Sequence, residues 1–130
     1  MNRPIHFEIH SSEPEKTNAF FEKVFGWKTQ KWEGPMEYWL VGTSPDGKMG
    51  CESSEHKGID GGIMRSRDGQ PRTVNTIEVQ NVDAHMKKVE SAGGRVVVPR
   101  MGIQGVGYVA YCTDPTGALF GIMHYDPSAK

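Results

Sequence analysis

Three residues of one short segment carry the most chemistry in this chain. His6, Glu8 and His10 alternate with Phe7 and Ile9 in the run Pro4-Ile5-His6-Phe7-Glu8-Ile9-His10. Strict alternation is the period of a β-strand, so the polar side chains share one face and the apolar ones the other. Same-face neighbours on a strand stand about 6.6 Å apart. A His–Glu–His stripe at that spacing offers an acid or base near neutral pH, an unorthodox cation site, or a polar lining that hydrogen-bonds a ligand or water. His6 and Glu8 are the catalytic candidates. A second alternating run, Thr73 to Val79, puts Val74, Thr76 and Glu78 on one face. A close Glu8–Glu78 pair would raise one of the two pKa values.

The other candidates carry less chemistry. Arg100 lies in the Gly-rich stretch from Pro99 to Gly107 and suits an anionic group, or plain solvent. The glycines there form no phosphate loop, because no Lys-Ser/Thr follows. Met64 and Met123 suit an adaptable apolar lining. Gly62 and Gly121 sit inside strand patterns, where glycine marks the close approach of a ligand or backbone, a bulge or tight packing. Trp32, Trp39, Tyr38, Tyr108 and Tyr111 divide between strand faces, so one or two reach a pocket and the rest serve core or interface. His56, His85 and His124 show no partner, and His85 is expected on an exposed helix face. Cys51 and Cys112 have no CxxC spacing and make neither a disulfide framework nor a four-ligand zinc site. They read as free thiols of a reducing compartment.

The elements that position these residues follow from pattern. After the first strand, Ser12 predicts an N-cap, with Glu15 closing a capping box and Pro14 in the first turn. Ala19, Phe20, Phe21, Val24 and Phe25 keep helical spacing as far as Gly26. Strands are predicted over 27–32, 37–43 and 61–65, with a turn at 44–47 and a long polar loop over 44–60. Residues 66–72 form the best linker candidate. The order then returns: a strand over 73–79, a helix over 83–92, and strands over 95–98, 108–112 and 119–124. Phe7-Glu8-Ile9 recurs as Ile77-Glu78-Val79, and Tyr38, Thr43, Pro45 and Gly47 recur at the same shift as Tyr108, Thr113, Pro115 and Gly117. Gly62-Ile63-Met64 recurs as Gly121-Ile122-Met123. An internal repeat in this order defines the architecture.

The expected fold is α+β: two tandem βαβββ modules, about 4–66 and 72–125, in a single domain. They form an eight-stranded cup-shaped sheet with a helix on the outside of each half. Phe7, Ile9, Ile77 and Val79 would face the helices. The pocket would be lined by His6, Glu8, His10, Gly62, Met64, Thr76, Glu78, Arg100, Gly121 and Met123.

Composition narrows the function. The chain has 130 residues, 36% hydrophobic and 24% charged, with 15 Lys+Arg against 16 Asp+Glu. That length suits one domain. A net charge of −1 lacks the basic surplus that nucleic acid demands. No apolar run approaches the roughly 20 residues of a membrane span. Residues 1–15 carry Arg3, His6, Glu8 and Glu13 where a signal peptide would be apolar. A cytoplasmic protein with a small organic molecule as partner is expected.

The chain resembles the vicinal oxygen chelate superfamily, home of glyoxalase I, bleomycin-resistance proteins and extradiol dioxygenases. The resemblance rests on His6-Phe7-Glu8-Ile9, the run Phe20 to Trp27, Gly61-Gly62-Ile63-Met64, Val82-Asp83-Ala84, the run Val89 to Gly94, Asp114-Pro115-Thr116-Gly117 and Phe120-Gly121-Ile122. The strings from Val24 to Trp27 and from Asp114 to Ile122 are most similar to a subgroup described as enzymes related to lactoylglutathione lyase. The resemblance implies a homodimer and lyase or isomerase chemistry. In metal-binding members, four His or Glu ligands come from the first and fourth strands of each repeat and hold a Lewis-acid cation. Carried over, those positions fall on His6, Gly62, Val74 or Thr76, and Gly121; a two-residue slip gives Met64 or Met123. Only His6 is a ligand type, so no metal cofactor is expected. Two alternatives stay open: a lyase using Zn, Ni, Fe or Mn on His6 with non-standard ligands, and a protein that sequesters a drug or toxin without turnover.

Overall fold

A computed structural model describes residues 1–45 and 58–130. Cys51, His56 and most of the expected loop lie outside the described residues. Among the described residues the elements follow the predicted order: β1 (Pro4–Ser11), α1 (Pro14–Phe25), β2 (Lys28–Lys31), β3 (Trp39–Gly42), β4 (Asp60–Arg65), β5 (Arg72–Glu78), α2 (Val82–Ser91), β6 (Arg95–Ile103), β7 (Gly107–Thr113) and β8 (Leu119–Tyr125). This is the βαβββ order, twice, and the fold is α+β. The chain divides into two compact units: His6–Val74, and Asn75–Lys130 with Met1–Ile5. No helix among the described residues is long and apolar enough to cross a membrane.

In the unit His6–Val74 the strand order is β2-β3-β4-β1. β1 runs parallel to β4, with His6, Glu8 and His10 opposite Asp60, Gly62 and Met64. β3 runs antiparallel to β4, with Leu40 opposite Gly62. The alternation of β1 is kept. Phe7 and Ile9 pack on a core of Trp39, Val41 and Ile63. The Phe7 ring meets Trp27 at 5.4 Å, and Trp27 stacks on Phe21 of α1 at 4.7 Å. The apolar face of β1 thus looks toward the helix, which leaves the His–Glu–His face on the other side.

α1 starts differently from the sequence expectation. Its N-cap is Glu13, with no side-chain cap bond, and Pro14 takes the first helical position. Ser12 does not cap. Ser11 does the local work: its Oγ accepts from the Glu13 N–H at 3.0 Å and bonds Thr17 Oγ1 at 2.6 Å. Pro14 favours the first helical position because it lacks a donor there, and this moves the start one residue on. The helix ends as predicted at Gly26, whose φ of 75° is the left-handed conformation that glycine adopts without strain.

In the unit formed by Asn75–Lys130 with Met1–Ile5 the strand order is β5-β8-β7-β6. β5 is parallel to β8, with Thr76, Ile77 and Glu78 opposite Gly121, Ile122 and Met123. Val79, Val82, Ala110, Cys112 and Ile122 form the core, with Met86 and Val89 of α2 packed on it. Asn81, unremarked in the sequence, caps α2 by accepting from the Ala84 N–H. The Gly-rich stretch expected as a loop from Pro99 is mostly strand: β6 continues to Ile103. Of two register shifts, one between Val96 and Val98 and one between Val98 and Met101, the second contains Pro99. A bulged edge strand tolerates a residue without an N–H, so the proline does not end it.

Candidate functional site

The polar face of β1 carries a continuous hydrogen-bonded chain. His10 Nε2 stands 3.0 Å from Glu8 Oε1. Tyr38 donates its O–H to Glu8 Oε2 at 2.9 Å. His6 Nε2 stands 2.9 Å from the same Tyr38 oxygen. Glu8 and His10 are only 5% and 7% exposed, and His6 is half-buried.

Proton inventory orders this chain. A carboxylate only accepts, so His10 donates through Nε2–H. Tyr38 has one proton and gives it to Glu8. Its oxygen therefore accepts from His6, whose Nε2 must carry hydrogen. The neutral His6 ring then has its lone pair on Nδ1, the nitrogen not used in the chain. Burial lowers the His6 pKa from its ordinary value, and the Glu8 and Asp60 carboxylates oppose that shift. The net direction favours neutral imidazole at neutral pH, the form that accepts a proton.

Asp60 is the carboxylate the sequence reading passes over. It is 8% exposed and begins β4 directly opposite His6. Its Oδ1 accepts from the Thr43 backbone N–H at 2.8 Å and from Thr43 Oγ1 at 3.2 Å. The strand expected over 61–65 begins one residue late, which leaves this acid at the end of the expected loop. The split between strand faces assigns most of the aromatics, Tyr38 among them, to core or interface. Tyr38 precedes β3 and reaches over to β1, with the Trp32 ring nearly perpendicular to its own at a centroid distance of 6.4 Å.

Gly62 explains how Tyr38 fits. A Cβ built there would run into the Tyr38 hydroxyl and its ring. The close approach that an in-strand glycine announces is therefore made by this chain's own tyrosine. Gly62→Ala should leave the fold largely intact, because the obstructing atoms are the far end of a side chain. It should displace the hydroxyl from both His6 and Glu8. Tyrosine fluorescence and the imidazole signals of His6 in NMR would report the displacement; unchanged spectra would contradict it.

Other expected pocket residues lie as follows. Met64 is buried opposite His10. In the unit Asn75–Lys130 with Met1–Ile5, Thr76 is 2% exposed, and its Oγ1 lies 3.0 Å from where a Gly121 Cβ would stand. Met123 is buried opposite Glu78, which is exposed. Arg100 pairs with Asp83 Oδ2 at 3.0 Å and lies over the Tyr108 ring at 4.5 Å. His124, without a partner in the sequence reading, accepts the Val82 N–H on Nδ1 at 2.9 Å and packs on Tyr108. His85 is half-buried rather than exposed. Cys112 is fully buried, and burial followed by Glu90 pushes its thiol pKa up, away from reactivity.

A profile described as "Glyoxalase/Bleomycin resistance protein/Dioxygenase superfamily" matches residues 3–122. The chain belongs to this superfamily. Two curated relatives are the anthracycline biosynthesis proteins DauV of Streptomyces sp. (strain C5) and DnrV of Streptomyces peucetius. Each is 29% identical over 126 residues, covering 92% of this chain and 46% of the relative. The chain thus spans about half the length of the curated relatives it matches. Among solved structures, methylmalonyl-CoA epimerase from Mycobacterium tuberculosis is similar at a TM-score of 0.65 with 12% identity, covering 95% of this chain and 88% of that one. At that identity the likeness shows the fold.

The donor set can be weighed against the superfamily's metal chemistry. Of the implied ligand positions, His6 alone carries a ligand type, and it is bonded to Tyr38. Gly62 has no side chain, and Tyr38 fills its place. Val74 is apolar and Thr76 and Gly121 offer no charged donor. Among the described residues no three His, Cys, Asp or Glu side chains are grouped to hold a metal ion. At these implied positions the described residues do not supply the donor set of a divalent cation.

Proposed function

We propose that this superfamily member binds a small organic molecule against the polar face of β1 and moves a proton on it with His6, without a metal. The hydrogen-bonded chain His6–Tyr38–Glu8–His10 carries the reading. Nδ1 of His6 takes a proton from a carbon acid next to a carbonyl. The positive charge formed on the ring is met through Tyr38 by the Glu8 carboxylate. Returning the proton to a neighbouring atom completes an isomerisation, and loss of a leaving group completes a lyase reaction. Tyr38 and Glu8 hold the imidazole in one tautomer.

A homodimer is part of the same proposal. Phe20, Val24 and Phe25 on α1 are 56%, 53% and 60% exposed, an apolar surface larger than a solvated helix needs.

Native mass spectrometry of the untagged protein against its denatured mass tests both parts. The expected result is a dimer without excess mass of a Zn, Ni, Fe or Mn ion, and a His6→Ala spectrum that differs only by the mass of the substitution. One metal ion per chain, lost in His6→Ala, would replace this proposal with the metal-dependent lyase. Tight binding of an organic molecule with no proton exchange on it would favour sequestration.

A further inference from the structure

We infer that Arg65, on the α1 side of the sheet, is a positioning residue for His6: its clasp on Glu37 sets where Tyr38 holds its hydroxyl. The inference deepens the proton-transfer reading and rests on it.

Alternation decides which way each side chain points. Trp39 and Ile63 lie in the core on the α1 side. Successive side chains of an extended chain face opposite ways, so Tyr38 points to the polar face and Glu37 back to the α1 side. Arg65 lies two residues beyond Ile63 on β4 and shares its side. There its guanidinium forks onto Glu37: Nε donates to Oε1 at 2.9 Å and Nη2 to Oε2 at 3.4 Å. Nη1 donates to the Ser12 carbonyl at 2.9 Å, and Nη2 stands 3.8 Å from Glu15 Oε2 in the first turn of α1. A planar fork of donors sets the angle of a carboxylate as well as its distance.

The clasp joins the segment that carries Tyr38 to the strand that carries His6 and Glu8. Tyr38 stands just before β3, which begins at Trp39. Within the connection from β2, the Trp32 N–H donates to the Tyr38 carbonyl at 2.8 Å, and Arg65 holds the neighbouring Glu37. Ser12 directly follows β1, and Arg65 itself stands opposite Ser11 in the β1–β4 register. One side chain thus ties the Tyr38 peptide to β1 from the face opposite His6. The Arg65 and Glu37 side chains are 48% and 38% exposed, and an ion pair that open adds little to stability. Rates are more sensitive to position, since a misplacement of about 1 Å costs about 10²-fold.

Three variants test this: Arg65→Ala, Arg65→Lys and Glu37→Gln. Each is measured by the ring-nitrogen shifts of His6 in proton–nitrogen NMR, by deuterium exchange of the acidic C–H of a 2-oxo or 3-oxo compound, and by its urea midpoint. Arg65→Ala should keep a midpoint near that of the parent. Its His6 nitrogens should move toward the average of the two tautomers, and exchange should slow by about five- to tenfold. Arg65→Lys keeps the charge without the fork, and Glu37→Gln keeps one acceptor, so both should fall between. Arg65→Ala combined with Glu37→Gln should be no worse than Arg65→Ala alone, because both act through one contact. Unchanged His6 nitrogens in Arg65→Ala would overturn the inference, as would rates that merely follow the urea midpoints. If Arg65→Ala does not fold, the other two variants decide on the same nitrogens. No exchange with the parent protein would sink the proton-transfer reading, while the ring nitrogens, which need no substrate, would still judge the clasp.

Discussion

His6→Ala should slow proton transfer by about 10²–10⁴-fold, the usual contribution of a positioned acid–base group, while leaving the protein folded. His6 is half-buried, and with Nε2–H given to Tyr38 its ring keeps a lone pair on Nδ1. The pH dependence separates this role from a merely structural one. Burial lowers the folded-state pKa of His6 below 6.5, its value in an open chain. Between the folded value and 6.5 the unfolded chain binds more protons, so stability rises with pH across that window. The contribution is fully present above 6.5 and is lost as pH falls toward the folded value. The acid limb of the reaction should accordingly fall below pH 6.5, and His6→Ala should flatten both the limb and the stability slope. A pH–rate profile for deuterium exchange of the acidic C–H of a 2-oxo or 3-oxo compound, with parallel urea titrations, checks this. A limb unchanged in His6→Ala would rule out His6 as the base.

Glu8→Leu should produce the largest loss of stability of any single change on this face. Glu8 is 5% exposed and accepts from two donors, Tyr38 and His10. Leucine nearly preserves volume and leaves both donors facing an apolar group. A buried donor without an acceptor costs about 1–3 kcal/mol, so the pair amounts to about 2–6 kcal/mol, reduced where water reaches the half-buried Tyr38. Tyr38→Phe removes one of the two donors along with its hydroxyl and should cost far less. Its effect should fall on His6, which loses the group that fixes its tautomer. Urea midpoints at constant slope measure both variants. Equal destabilisation by Glu8→Leu and Tyr38→Phe would show that Glu8 is not the anchor.

Alternation in β1, helical spacing before Gly26 and the recurrence of Gly-Ile-Met were enough to read two βαβββ modules, because those signals are local and periodic. The His6–Glu8–His10 stripe was legible for the same reason. Tyr38 and Asp60 were not. Their roles depend on which strand lies beside β1, and pairing partners leave no periodic mark in a chain. Asp60 was further hidden by a boundary, since a strand that opens on Asp-Gly-Gly looks like a turn. Pro99 misled in the opposite direction. Prolines read as strand breakers, yet on an edge strand, inside a register shift, β6 simply runs past it. His124 escaped notice because its partner is a backbone N–H of α2, which has no residue type to recognise.

The chain of bonds through Tyr38 spans 32 positions to His6 and 30 to Glu8, and it forms only when β1 lies in register along β4. Parallel pairing of distant segments closes large loops and is slow to nucleate, whereas α1 and the β2–β3 hairpin need only near neighbours. During refolding, backbone circular dichroism should therefore recover well before the first turnover. A collapsed intermediate with its helices and hairpin in place would still be inert, with a histidine whose tautomer nothing yet dictates.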